Sequence, residues 1–179
     1  MYRNFFKESF FCYYPIFIDE ILLNNDEIDF LEACMLDFVP DQTYNLEKKN
    51  YYTRKYVDYK NHLLNFQKKV LDLIQFNFDS SAKVIGIWIN EISNETNINP
   101  AFHHDESDFT LITYINENFE GGEFEYQEDN KNKKITPKKY TSLLQNNRLI
   151  HRVTPVSNGV RYSLICFLEY VNKQDKTLI

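Results

Sequence analysis

The apolar residues of this chain change period once, near Asp79, and that change constrains the fold more than any other feature. Before it, Ile28, Leu31, Met35 and Phe38 recur at helical spacing, which predicts a helix from Asn24 or Asn25 to about Phe38. Either Asn can cap it, and Asp26, Glu27 and Asp29 occupy its first turn, where the helix dipole favours acids. A second helix is predicted from about Val57 to Phe76. Its apolar stripe is Leu63, Phe66, Val70, Leu73 and Ile74, and its wet face Lys68, Lys69 and Asp72. Tyr14 to Ile18 reads as a short strand, and residues 40–55, polar and tyrosine-rich, as a loop. After Asp79 strand spacing takes over, at Val84–Asn90, Phe109–Asn116, Glu123–Gln127, Tyr140–Leu144, Leu149–Thr154 and Val160–Val171. Gly121-Gly122 and Ser157-Asn158-Gly159 supply turns, and residues 129–133 a polar hairpin tip. Helices first and short strands after indicate an α+β chain, mainly β, whose core is a double sheet or barrel.

The 179 residues have the length of one domain, and neither a repeat nor a linker-like stretch divides them, so residues 1–179 are expected to form a single domain. A hydrophobic content of 43% with 26% charged residues excludes a disordered chain. No apolar run reaches the roughly 18 residues of a membrane span, because Phe10–Leu23 is interrupted by Pro15, Asp19 and Glu20. No export signal is visible either, so the expected location is cytoplasmic, with no membrane partner. The net charge of −6 disfavours nucleic acid as a main partner, since phosphate binding needs a basic footprint. Cys12, Cys34 and Cys166 match neither a disulfide framework nor a zinc ribbon, and reduced core residues are expected.

Chemistry is concentrated in few residues. The four histidines are His62, His103, His104 and His151, and two of them lie in Phe102-His103-His104-Asp105-Glu106. On extended backbone His103 and Asp105 share a face, roughly 7 Å apart along the chain. His104 and Glu106 share the other, and a one-residue slip exchanges the two pairs, so both frames are open at this point. An imidazole and a carboxylate are two ligands of a metal site, and His151, from a distant strand, can supply the third. Two His and one carboxylate leave three positions of an octahedral metal open, as in non-haem Fe(II) oxygenases.

Arg161 lies beyond His151, across Ser157-Asn158-Gly159. If that turn joins antiparallel strands, Arg161 pairs near Thr154 and His151 lies roughly 10 Å further along. Such a span suits a small dicarboxylate held by the metal at one end and by a guanidinium fork at the other. Ser163 shares the face of Arg161 and can donate to the same group. A buried Arg in a strand needs an anionic partner, and no acid near it in sequence is an obvious one.

Together these residues form an ordered set. His103-x-Asp105 is followed by Thr110-Leu-Ile-Thr-Tyr-Ile-Asn116, Gly121-Gly122-Glu123-Phe124, His151-Arg-Val-x-Pro155-Val and Gly159-Val-Arg161-Tyr-Ser163-Leu. The set resembles the Fe(II)/2-oxoglutarate oxygenases, and within them the prolyl 4-hydroxylase-like branch, over about Tyr14 to Tyr170. The resemblance implies a double-stranded β-helix (jelly roll) with two N-terminal helices packed on it. It implies Fe(II), 2-oxoglutarate and O2, with ascorbate as a stimulant. By position, His103, Asp105 and His151 take the metal-ligand roles and Arg161 the far carboxylate of 2-oxoglutarate. Tyr114 falls where this branch places a hydroxyl on that carboxylate; an aromatic in a packed strand is the plainer reading. Ser163 reads equally as a ligand contact or a core hydroxyl. Asn90 can reach the iron-bound carboxylate, and Trp88 reads as core or pocket wall. Asp is also the usual family carboxylate, which favours His103 and Asp105 over the shifted frame and places His104 and Glu106 at the outer rim. An intact carboxylate argues against halogenation.

What the resemblance implies about activity is oxidative decarboxylation of 2-oxoglutarate to succinate, coupled to hydroxylation of a C–H bond. The expected substrate is a prolyl or other residue of a protein or peptide. A free amino acid, another small metabolite or a nucleobase is the alternative, and a metal-free binding module the remote one. Residues 40–55 and 92–101 are the candidate substrate lid. Oligomeric state is not legible in the sequence.

Overall fold

The structure, a computed structural model, describes residues 14–40, 42–47, 50–96, 101–136 and 138–172. In chain order its elements are β1 (Ile16–Ile18), α1 (Asn25–Leu36), β2 (Gln42–Glu47), β3 (Asn50–Tyr56), α2 (Tyr59–His62), α3 (Leu64–Phe78) and β4 (Ala82–Ser93). They continue as β5 (Phe109–Tyr114), β6 (Phe119–Gly121), β7 (Phe124–Glu128), β8 (Lys131–Ile135), β9 (Ser142–Asn146), β10 (His151–Val153) and β11 (Val156–Tyr170).

Asn24 is the cap of α1. Its Oδ1 accepts from the Glu27 N–H at 2.9 Å, and the Glu27 carboxylate accepts from the Asn24 N–H at 3.0 Å. The other Glu27 oxygen accepts from the Phe66 N–H at 2.9 Å, in the first turn of α3. One buried carboxylate therefore serves two helix starts, each of which has backbone N–H groups without helical partners. The single helix expected over Val57–Phe76 is divided. Val57 is held to the large sheet by its N–H on the Ile87 carbonyl, Leu63 leaves helical geometry at φ −127°, and α3 extends to Phe78.

All strand pairs are antiparallel. The large sheet runs β1-β9-β5-β11-β4-β3-β2, with β6 paired to the first residues of β11; the small sheet runs β10-β7-β8. Phe66, Val70, Ile74 and Leu31 of the helices pack on one face of the large sheet, against Ile87, Ile89, Leu111, Leu164 and Cys166. Its other face meets the small sheet through Ile112, Tyr114, Leu143, Ile165, Phe124 and Leu149. β5 is buried along its whole length because alternate residues face these two cores. Two antiparallel sheets packed face to face are the expected jelly roll.

Three sequence expectations fail locally. Within the expected loop over residues 40–55, residues 42–47 and 50–55 instead belong to the antiparallel strands β2 and β3 at the edge of the large sheet, where Tyr and Thr favour the strand. The expected hairpin tip over 129–133 shrinks to Asp129 and Asn130, both at positive φ, and Lys131 already begins β8. Ser157-Asn158-Gly159 is no turn between neighbours. It lies inside β11, pairs with β6 there, and the chain changes sheet at Thr154-Pro155 instead. Cys34 and Cys166 are free thiols, and burial pushes the Cys166 thiol well up. Cys12 lies outside the described residues, as do residues 97–100 of the second expected lid. Among the described residues no helix is long and apolar enough to cross a membrane.

Candidate active site

His103 and His151 face one another across a single antiparallel bridge, with reciprocal N–H to carbonyl bonds of 2.9 and 3.0 Å. The segment entering β5 is thus laid alongside β10, and Asp105 follows on the same side. His103, Asp105 and His151 each offer one ligand atom, all within 4.8 Å of one another. Asp105 Oδ1 is 3.8 Å from Nε2 of both imidazoles. His104 and Glu106 are exposed and take no part in this group. The site is buried on one side and open on the other: the His151 side chain is 5% exposed and that of His103 50%.

Both rings are held in one tautomer. Nδ1 of His103 lies 3.2 Å from the Ala101 carbonyl and Nδ1 of His151 3.1 Å from that of Leu149. A carbonyl only accepts, so the proton sits on Nδ1 and each Nε2 carries the lone pair. Burial lowers the His151 pKa, against the opposing pull of Asp105, and so favours the neutral ligand form. Phe124 stacks on the His151 ring at 5.1 Å. Flanking the two histidines, Arg152 covers the Phe102 ring at 4.4 Å and donates to Glu125 of β7, which ties the two ligand-bearing segments together. Such outer contacts fix ligand orientation. Gln145 of β9 also reaches the group: its amide nitrogen is 2.7 Å from Asp105 Oδ2 and 3.2 Å from His151 Nε2.

A second cluster lies on the inner face of the large sheet. Ser163 of β11 stands opposite Asn90 of β4 on one side and Tyr114 of β5 on the other, and Arg161 stands opposite Ile92. The pairing of Arg161 near Thr154 expected from the sequence does not occur, because β10 and β11 belong to different sheets. Arg161 is 1% exposed and its guanidinium lies 5.1 Å from the centre of the Tyr114 ring. Nε and Nη2 of Arg161, the Tyr114 hydroxyl and the Ser163 hydroxyl are all buried without a hydrogen-bond partner. Burial lowers the Arg161 pKa and raises that of Tyr114. A buried cation flanked by two unpaired hydroxyls fits a carboxylate, which would neutralise the one and accept from the others.

Gly122 makes room for that arginine. At φ +65° it sits in the left-handed region, and a Cβ there would come within 2.9 Å of Arg161 Cδ. Asn90 is half-buried, and its carboxamide oxygen accepts from Arg54 Nε at 3.1 Å, so only its N–H groups are left for a ligand. Trp88 packs edge-on to Tyr56 at 5.1 Å as a wall. Tyr114 and Phe124 share one inter-sheet core, so the arginine cluster and the histidine group open from the same interior. Sequence reading missed Gln145 and the spacing role of Gly122; neither lies in a ligand motif, and strand pairing alone brings them in.

Residues 91–169 match the 2OG-Fe(II) oxygenase superfamily. No curated protein matches this chain. Among solved structures, the viral collagen prolyl hydroxylase of Paramecium Bursaria Chlorella virus-1, in complex with 2OG, is 17% identical with a TM-score of 0.64, over 89% of this chain and 97% of that one. A Trichoplax adhaerens prolyl hydroxylase bound to a hypoxia inducible factor peptide is 15% identical with a TM-score of 0.66, over 92% and 86%. The epimerase SnoN of nogalamycin biosynthesis is 10% identical with a TM-score of 0.69, over 87% and 78%. At these identities the likeness is one of fold.

Proposed function

We propose that this chain, which matches the 2OG-Fe(II) oxygenase superfamily over residues 91–169, is an enzyme that uses Fe(II), 2-oxoglutarate and O2 and hydroxylates a prolyl or other residue of a protein or peptide. Together iron and 2-oxoglutarate supply the oxidation of a C–H bond, with succinate and carbon dioxide as co-products. The rest falls to the chain. His103, Asp105 and His151 hold the ion, each histidine through the Nε2 lone pair that its Nδ1 contact sets free. Arg161 takes the far carboxylate of 2-oxoglutarate, Tyr114 and Ser163 donate to it, and the amide of Asn90 lies in the same cross-strand row. Leu143, Leu149 and Ile165 belong to the same buried inter-sheet core as Tyr114, and apolar surroundings strengthen charge contacts made beside them.

One observation carries this reading: a buried guanidinium with two nitrogens unpartnered among the described residues, and three convergent side chains that could hold a metal ion. The peptide substrate draws its support from the shape shared with the two prolyl hydroxylases. Oxidation of a small molecule is the second reading, supported by the fold shared with the epimerase SnoN. The test is turnover of 2-oxoglutarate to succinate by the Fe(II)-loaded protein, screened against proline-containing peptides and free amino acids. A mass gain of one oxygen on a peptide supports the first reading and on a free metabolite the second. Absence of succinate in every condition refutes both.

A further inference from the structure

In β9, one residue before its end, Gln145 is 1% exposed and in register with Thr110 of β5. All five residues of β9 are buried, and an apolar side chain would be the ordinary occupant. The orientation of the Gln145 amide is dictated by its neighbours. Asp105 Oδ2 and the lone pair on His151 Nε2 only accept, so the amide nitrogen faces both and spends one N–H on each. Its Oε1 is thereby turned into the interior, buried without a partner. Such a group is destabilising, and it calls for a compensating role.

We propose that Gln145 is a positioning residue that restricts Asp105 to a single donor atom. A carboxylate free at both oxygens can bind a cation through either or both. With Oδ2 held at 2.7 Å by Gln145, Oδ1 alone is left facing the two imidazoles. Asp105 then fills one position instead of two, and a two-histidine, one-carboxylate site keeps three positions open. The inference rests on the assignment of His103, Asp105 and His151 as metal ligands.

The experiment uses the full chain with Mn(II) for affinity and Co(II) for its absorption spectrum, both read without turnover. Gln145→Met keeps an unbranched side chain of similar size and removes the donor. It is expected to weaken Mn(II) binding by about 10- to 100-fold and to shift the Co(II) bands toward a changed coordination, with the fold intact by circular dichroism. Should that variant not fold, Gln145→Glu keeps the shape and sets an acceptor against Asp105, and the same spectral change is expected. Wild-type affinity and an unchanged Co(II) spectrum in a folded variant overturn the inference. Failure of the wild type to bind Mn(II), or binding undiminished in His151→Ala, overturns the ligand assignment beneath it.

Discussion

Replacing Arg161 by Met should raise the stability of the ligand-free protein while removing its affinity for 2-oxoglutarate. Two guanidinium nitrogens, Nε and Nη2, are buried without partners. At about 1–3 kcal/mol for each unsatisfied group, relieving them gains about 2–6 kcal/mol. Against this stands the loss of the guanidinium over the Tyr114 ring, 5.1 Å from its centre, a contact of about 0.5–2 kcal/mol. The balance runs from about zero to about 5 kcal/mol in favour of the variant, and each kcal/mol raises Tm by about 2–4 °C in a chain of this length. Binding moves the opposite way. Losing one side of a buried charge-assisted contact costs about 2–5 kcal/mol, or a fall in affinity between about 30-fold and several thousand-fold. Thermal melting with Mn(II), with and without 2-oxoglutarate, reads both effects at once. A variant that melts below the wild type and still gains stability from 2-oxoglutarate would refute the reasoning, since Arg161 would then be a structural cation with no anion to bind.

Other outcomes follow from single contacts. Asp105→Ala should abolish metal-dependent succinate formation and Mn(II) binding, whereas exposed His104→Ala should leave both near wild type; isothermal titration and a succinate assay check this. Gly122→Ala places a Cβ 2.9 Å from Arg161 Cδ at a backbone φ of +65°. A rise in KM for 2-oxoglutarate larger than any fall in kcat is expected, with a stability cost of about 1–3 kcal/mol. Glu27→Ala removes the acceptor for two helix starts, at Asn24 and Phe66. Urea unfolding should show a loss of about 2–4 kcal/mol, beyond an ordinary cap deletion of about 1 kcal/mol, because the Phe66 N–H is left buried and unpaired.

Elements whose cause is local were legible in the residues. The cap at Asn24 and the strand over β5 stand where period and polarity put them. Elements whose cause is a neighbour were not. Residues 42–47 and 50–56 look like loop because their sequence is polar, and only the pairing of β3 with β4 and of β2 with β3 marks them as sheet. Ser157-Asn158-Gly159 has turn composition, yet β6 turns it into strand. Gln145 has no motif around it and comes into the site through the β9–β5 pairing.

By itself the sequence limited which side chains can carry chemistry, because ligand type is a property of the residue: two imidazoles, one short carboxylate and one arginine with no acid nearby. It also limited the register to two frames, since strand alternation allows no others. Only the tertiary structure chose between them, by the bridge from His103 to His151 that turns Asp105 inward and leaves His104 in solvent. Tertiary structure likewise set how arginine and metal site face each other. They stand on different sheets, so the gap between them follows from how two sheets pack and not from any spacing along the chain.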